Sequence, residues 1–173
     1  MEKFLDDGVV SLRALEPTDL DLMYIWENDT SLWDVGNSIT PFSRSILWEY
    51  LQDYDGDIYK HKQVRLMVDA EGVTVGTVDL YNFDPFNNRI AIGILIASDH
   101  KGRGYGERAL KLSVDYCLRF LGIHMAWAMI PSDNIASRKA FEKCGFSHTA
   151  TLPQWLRRGG DYFDAEIYQF LLQ

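Results

Sequence analysis

The sequence predicts a mixed α/β domain, and three observations carry that prediction. Strand-length runs with period-two alternation recur along the 173 residues, with stretches of helical spacing between them. Two of those helical stretches fall between the first and second strands, and two late strands close the chain around Arg157-Arg158-Gly159-Gly160. The apolar run Ile90–Ala97 ends in a short polar turn with glycines at alternate positions, and a helical pattern starts at once with Glu107-Arg108-Ala109-Leu110.

In the first strand Val10, Leu12 and Ala14 alternate with Ser11 and Arg13, which makes it half-buried. Thr18 is placed to cap a helix running through Leu20, Met23, Tyr24 and Trp26 to about Asn28. Residues 29–41, with Trp33 and Gly36, are irregular; Ser43 then caps a second helix carrying Ile46, Leu47, Tyr50 and Leu51. Val64–Asp69 and Val73–Tyr81 read as a hairpin closed by Ala70-Glu71-Gly72. A turn from Asn82 to Asn88, around Asp84-Pro85, leads into the fourth strand, Arg89–Ala97. The following helix repeats apolar residues at Leu110, Val114, Cys117 and Leu121, and Gly122 ends it. His124–Ile130 is the fifth strand, a helix runs to Cys144 and ends at Gly145, and 147–152 and 162–171 close the sheet.

A chain of this length fits one domain, residues 1–173, with a sizeable core, and its 47% hydrophobic content is ordinary for a globular protein. Its longest apolar run is too short to cross a bilayer, and Met1–Asp7 lacks the basic start and apolar stretch of a signal peptide. Cys117 and Cys144 sit in helical patterns and read as reduced core thiols, which points to the cytoplasm. His61, His100, His124 and His148 have no ligand spacing, so no metal is expected. A formal net charge of -8 argues against a nucleic-acid partner, no membrane partner is expected, and the charge is compatible with a cationic acceptor.

The segment Lys101-Gly102-Arg103-Gly104-Tyr105-Gly106 is the most informative in the chain. Glycines at that spacing leave backbone N–H groups unscreened by side chains. Together with the positive end of the helix behind them, those donors make a cradle for a diphosphate. A surface turn with a glycine-rich helix entry is the plainer alternative. The string lacks the Gly-Lys-hydroxyl ending of a P-loop, and its G-x-G-x-G spacing and position past mid-chain differ from the dinucleotide fingerprint.

The segment resembles the coenzyme A loop of the GNAT superfamily of N-acetyltransferases, with Lys101, Gly104 and Gly106 at the motif positions and lysine in place of the usual Gln or Arg. Asn134 to Phe146, containing Glu142-Lys143-Cys144-Gly145-Phe146, resembles the second signature of that superfamily, and Leu12 to Leu20 its opening strand and helix cap. The resemblance implies a central mixed sheet of six to seven strands flanked by about four helices, with the fourth and fifth strands splayed. It also implies acetyl-CoA as co-substrate. By residue-for-residue transfer, the backbone amides of Ile94, Leu95 and Ile96 on a bulged fourth strand face the pantetheine arm and stabilise charge on the thioester oxygen. The same transfer gives the diphosphate to Lys101, Gly102, Arg103, Gly104, Tyr105, Gly106 and Glu107, and adds Asn134, Ser137 and Phe141 from the second signature.

Two catalytic roles also depart from the pattern. Many family members carry a Glu on the fourth strand as base, where this chain has Ala91 and Gly93; Asp79 and Asp84 are the nearest substitutes. The family's tyrosine proton donor falls at Phe141, with Tyr162 and Tyr168 as stand-ins on a late strand. The acceptor region draws on Trp26, Glu27, Asp29, Trp33, Asp34, Trp48, Trp155 and Tyr162, aromatics and carboxylates suited to an amine cation. The carboxylates that polyamine enzymes place beside the splay are not reproduced, since Ile39 and Ala91 fall there. A small primary amine, polyamine-like or otherwise, is the leading acceptor. A peptide N-terminus is second, and an acyl-CoA-binding module without turnover is third. The late strands imply a homodimer.

Overall fold

The computed structural model describes residues 4–33 and 38–172. In chain order the elements are β1 (Val10–Ala14), α1 (Leu20–Glu27), α2 (Arg44–Asp53), α3 (Ile58–His61), β2 (Val64–Ala70), β3 (Val73–Asp84), β4 (Arg89–Ile96), α4 (Tyr105–Asp115), β5 (Met125–Pro131), α5 (Ile135–Lys143), β6 (Ser147–Arg158) and β7 (Asp161–Leu171). The strands form one seven-stranded sheet in the order β1-β2-β3-β4-β5-β7-β6. All neighbours are antiparallel except β4 and β5. The mixed α/β class and the strand count agree with the sequence reading.

The entry to α1 differs from expectation. Pro17 sets a short 3-10 turn over Pro17–Asp19, and Asp19, not Thr18, reaches back to accept the Glu16 amide at 2.9 Å. Ser43 caps α2 as expected, accepting from the Ile46 amide at 3.2 Å. The short helix α3 had no periodic signal; Asp57 starts it by accepting from Tyr59 and Lys60 amides, and Lys62 in the left-handed region stops it. α4 runs on through a π-helical turn, Tyr116–Phe120, before Gly122 at φ 69° ends it. β3 and β6 are longer than predicted because their pairing with β4 and β7 carries them past the local signal.

The β2–β3 turn holds two residues, Glu71 (φ 52°) and Gly72 (φ 81°), and Ala70 belongs to the strand, paired with Val73. Both turn residues lie in the left-handed region, as the tightest hairpins require. Asp69 faces Thr74, but Val68 faces Gly76, so Val75 is an extra residue that bulges β3 and resets the register. This bulge decides which side chains of β2 and β3 meet further along.

The larger core lies between the sheet and the α4/α5 layer, with Val68, Val78, Leu80, Ile90, Ile92, Ala109, Leu110 and Cys117 all closed to solvent. A smaller cluster on the opposite face joins Leu15, Met23, Leu47, Leu51 and Met67 under α1 and α2. That thinner layer stops short of β4 and leaves a cleft there. Both cysteines are free; burial pushes the Cys117 thiol up to about 12 and the half-buried Cys144 thiol up to about 11. No helix among the described residues is long and apolar enough to cross a membrane. Met1–Lys3, Asp34 and Gly36 lie outside the described residues.

Candidate active site

The parallel strands β4 and β5 pair only at Arg89–Met125, Ile90–Ala126 and Ala91–Trp127, and then part. β4 continues to Ile96 along β3, while β5 continues to Pro131 along β7. Between them opens the expected splay. Its backbone polarity follows from the ladder on the other side. The Ala97 amide donates to Val75 O at 2.9 Å, and the β3–β4 register runs unbroken from Gly76–Ile96 to Tyr81–Ala91. In an antiparallel ladder, alternate residues turn their N–H and C=O to the partner strand and away from it. Leu95 therefore addresses β3, while Ile94 and Ile96 present their amides to the gap. The strand splays without a bulge at this point, which narrows the three amides inferred from sequence to two.

Gly76 makes this arrangement possible from behind: a Cβ there would lie 2.1 Å from the Leu95 carbonyl oxygen. At the far end of β4 the chain passes Ser98–His100 and enters the glycine loop. Gly102 (φ 78°) and Gly104 (φ 80°) are left-handed, and a Cβ on either would meet no atom within 4 Å. Their need for glycine is conformational, and the space above them is open. A Cβ on Gly106 would touch Ile96 Cγ1 at 3.4 Å, so this glycine lets the helix start close against β4. Gly104 is the N-cap of α4, and its carbonyl takes the first helical bond, from Arg108 at 3.2 Å. The preceding amides, at Tyr105, Gly106 and Glu107, have no intrahelical acceptor, as at any helix start. These features fit a diphosphate.

The side chains of the loop divide. Lys101, Gly102 and Arg103 are exposed, whereas Tyr105 is buried in the main core and offers only its backbone. Arg103 lies 3.9 Å from Glu71, and Glu107 pairs with Lys111 at 3.2 Å and Lys143 at 3.6 Å. Lys111 chiefly holds the Glu107 carboxyl below its usual range. Asn134 caps α5, its Oδ1 accepting from the Ser137 amide at 3.2 Å, so Ser137 is tied to the same turn. Phe141 is 4% exposed and packs edge-on against Phe146 with ring centroids 4.9 Å apart. It is a core residue.

A cleft of about 410 Å³ opens on the α1/α2 side of β4 and is lined by Trp26, Glu27, Tyr50, Arg65, Asp79, Tyr81 and Gly93 to Leu95 among others. Its floor is charged. Arg65 donates from Nε and Nη2 to the two oxygens of Asp79, at 2.7 and 2.8 Å, and from Nη1 to Glu27. Ser38 donates to the other Glu27 oxygen at 3.0 Å, and the Tyr54 hydroxyl bonds both the amide and the carbonyl of Arg65. Burial works against the Arg65 charge, but the two carboxylates outweigh it and hold its pKa above the ordinary arginine value. Among the described residues, two carboxylates against one guanidinium leave the floor net negative. Gly93 faces Asp79 across the ladder; a Cβ there would lie 3.5 Å from Tyr81 Cε1 and 4.0 Å from Asp79 Cβ. A long side chain at that place would fill the space above Asp79.

Of the two carboxylates named from sequence as bases, only Asp79 lines the cleft. Asp84 sits in a separate hollow with Asn82 and Arg89, where it accepts from the Phe86 and Asn87 amides and the Asn87 side chain and forms an ion pair with Arg89 at 3.2 Å. Those bonds, led by the Asn87 amide, hold it below the usual carboxylate range; it is a turn residue. Tyr168 is fully buried and held by Arg138 at 3.1 Å and Glu142 at 2.9 Å, while Tyr162 is exposed on the β6–β7 hairpin. Trp26, Glu27 and Trp33 line the cleft; Asp29, Trp48, Trp155 and Tyr162 do not. Asp29 instead bonds Ser31 in a tight turn. Arg65, Tyr50 and Tyr81 were missed. Arg65 and Tyr81 became visible only once the β3 bulge fixed the register.

Splayed parallel strands with free amides, running into a glycine-cleared helix start, define an acyl-CoA-dependent acyltransferase. The chain belongs to the GNAT acetyltransferase family: the "Acetyltransferase (GNAT) domain" model matches residues 10–147. It is an N-acetyltransferase with acetyl-CoA as co-substrate. It is similar to spermidine N(1)-acetyltransferase of Escherichia coli K12, with 26% identity over 156 residues covering 90% of this chain and 82% of the relative. An L-amino acid N-acyltransferase of the same organism is 31% identical over 110 residues, 62% of this chain and 63% of the relative. Among solved structures, spermidine N-acetyltransferase from Vibrio cholerae in complex with CoA and spermine superposes with a TM-score of 0.85 at 24% identity, covering 95% of this chain and 96% of that one.

Proposed function

We propose that this protein transfers the acetyl group of acetyl-CoA to a primary amine of a polyamine-like small molecule. The observation that carries the reading is the charged floor of the cleft, where Glu27 and Asp79 flank a single Arg65 directly beside the opened edge of β4. An ammonium chain fits a net negative floor. The α-carboxylate of an amino acid would meet Glu27 and Asp79, while Arg65, the only guanidinium among the described residues that line the cleft, is already engaged on three nitrogens, which disfavours the acceptor class of the amino-acid relative.

Acetyl-CoA supplies the activated acyl group. The glycine-cleared amides at residues 104–107 bind its diphosphate, with Lys101 and Arg103 adding charge. Ile94 and Ile96 direct N–H groups at the thioester oxygen. Donors aimed at developing charge contribute about 3–4 kcal/mol in comparable acyl transfer. An amine of lysine-like pKa gives up about 4–5 kcal/mol to lose its proton at pH 7. Asp79 keeps outward lone pairs even with Arg65 bound, and it holds the ammonium form while the proton leaves to solvent in the cleft. With both of its oxygens bound by Arg65, Asp79 acts first as an anchor.

A thiol-release assay with acetyl-CoA tests the reading. Turnover should be highest with spermidine or spermine and low with amino acids and with peptide N-termini. Tight acetyl-CoA binding with no turnover on any amine would refute it in favour of a coenzyme-binding module.

A further inference from the structure

Tyr168 is buried against α5 and Tyr162 is exposed on the β6–β7 hairpin, so neither stand-in named from the sequence lines the cleft. We propose that the Tyr81 hydroxyl donates the proton to the coenzyme A sulfur as the thioester C–S bond breaks. This rests on the acetyl-transfer reading and adds a residue to it.

Position is the first argument. Tyr81 faces Ala91, and Ala91–Trp127 is the last β4–β5 pair before the strands part. Its side chain lies on the cleft face and leans toward the splay, since Cε1 comes within 3.5 Å of where a Gly93 Cβ would stand. Gly93 is one residue, roughly 3.3 Å, from the Ile94 amide that faces the gap. The ring rests 6.4 Å from the Trp127 ring, centroid to centroid, which fixes it from the β5 side.

Availability is the second. Among the described residues the Tyr81 hydroxyl has no hydrogen-bond partner, and it is not among the buried orphan atoms, so it opens into the cleft that it lines. Tyr54, by contrast, is committed to the Arg65 backbone. The charged and titratable groups around Tyr81 are Asp79 on its own strand, Arg65 on β2, Glu27 on α1 and Tyr50 on α2; Gly93 and Trp127 present none. Burial, and after it the Asp79 charge, raises the Tyr81 pKa above the ordinary tyrosine value, so the phenol stays protonated at neutral pH.

The proton count closes. The neutral amine forms the C–N bond, the C–S bond breaks, and sulfur takes the Tyr81 proton. The proton lost from nitrogen returns through cleft solvent to the tyrosinate, giving amide and free thiol.

Tyr81→Phe, assayed with acetyl-CoA and spermidine, should lower kcat about 100-fold and leave acetyl-CoA affinity by calorimetry unchanged. Fluorotyrosines placed at position 81 keep the shape of the ring but acidify the phenol. They should draw the basic limb of the kcat profile to lower pH in step with their acidity. A wild type that turns over and a Tyr81→Phe variant that equals it would overturn the assignment, as would a limb that fluorination does not move. A wild type inactive on every amine would remove the parent reading along with it.

Discussion

Arg65 and Asp79 meet as a two-pronged pair, Nε to Oδ1 at 2.7 Å and Nη2 to Oδ2 at 2.8 Å, across the β2–β3 ladder. This contact ties together the floor of the cleft and orients Asp79. A carboxylate with both oxygens on a guanidinium is a fixed, oriented negative contact.

If Asp79 is an anchor, Asp79→Asn should raise the KM for spermidine at least tenfold and change kcat far less. Loss of the acidic limb of the kcat profile would instead make it the base. Arg65→Met leaves Glu27 and Asp79 facing each other without a cation, and it should cost about 3 kcal/mol in urea unfolding.

Gly104 stands at φ 80° with open space above it. Gly104→Ala should cost about 1–2 kcal/mol of stability from the left-handed backbone, with a much larger proportional effect on coenzyme. Calorimetry should show acetyl-CoA affinity falling more than tenfold in a protein that still melts cooperatively.

Asn134 has an oxygen occupied by the Ser137 amide and an NH2 left over. Asn134→Asp keeps the cap and loses the donor; Asn134→Ala loses both. Thermal unfolding should register about 1 kcal/mol only for the alanine variant. If the amide nitrogen holds the pantetheine arm, both variants should bind acetyl-CoA more weakly.

Asp19 is buried on Arg13, which donates to its two oxygens at 2.8 and 2.9 Å. Burial alone would raise its pKa, but the Arg13 bonds and the Glu16 amide more than offset it and hold the carboxyl below its ordinary value. A depressed acid stabilises the fold above the unfolded pKa of about 3.9 and loses that contribution as pH falls through its lower folded value. Urea midpoints should therefore drop steeply below about pH 4 in the wild type. In Asp19→Asn the protein should start less stable at pH 7 and show a shallower fall.

Much was legible locally. Strand alternation, the glycine string at 102–106, the Ser43 cap and the helix-ending Gly122 and Gly145 depend on neighbours in sequence, and the family signatures lie on the same segments. The site was legible where it is made of backbone, because a left-handed glycine or a helix start needs little from the rest of the chain. It was least legible where it is made of side chains. Asp79 and Asp84 are both acids near the end of β3, yet one lines the cleft and the other closes a turn.

The sequence by itself determined the order of strands and helices, the glycine loop that opens α4 and the class of reaction. Tertiary structure alone decided that Arg65 faces Asp79, that Tyr81 stands at the fork of β4 and β5, and that Ile94 and Ile96 turn their amides into the gap. The physical reason is register. One extra residue at Val75 reverses which β3 side chains share a face with β2, and the energy that fixes that choice comes from burial between elements far apart in the chain.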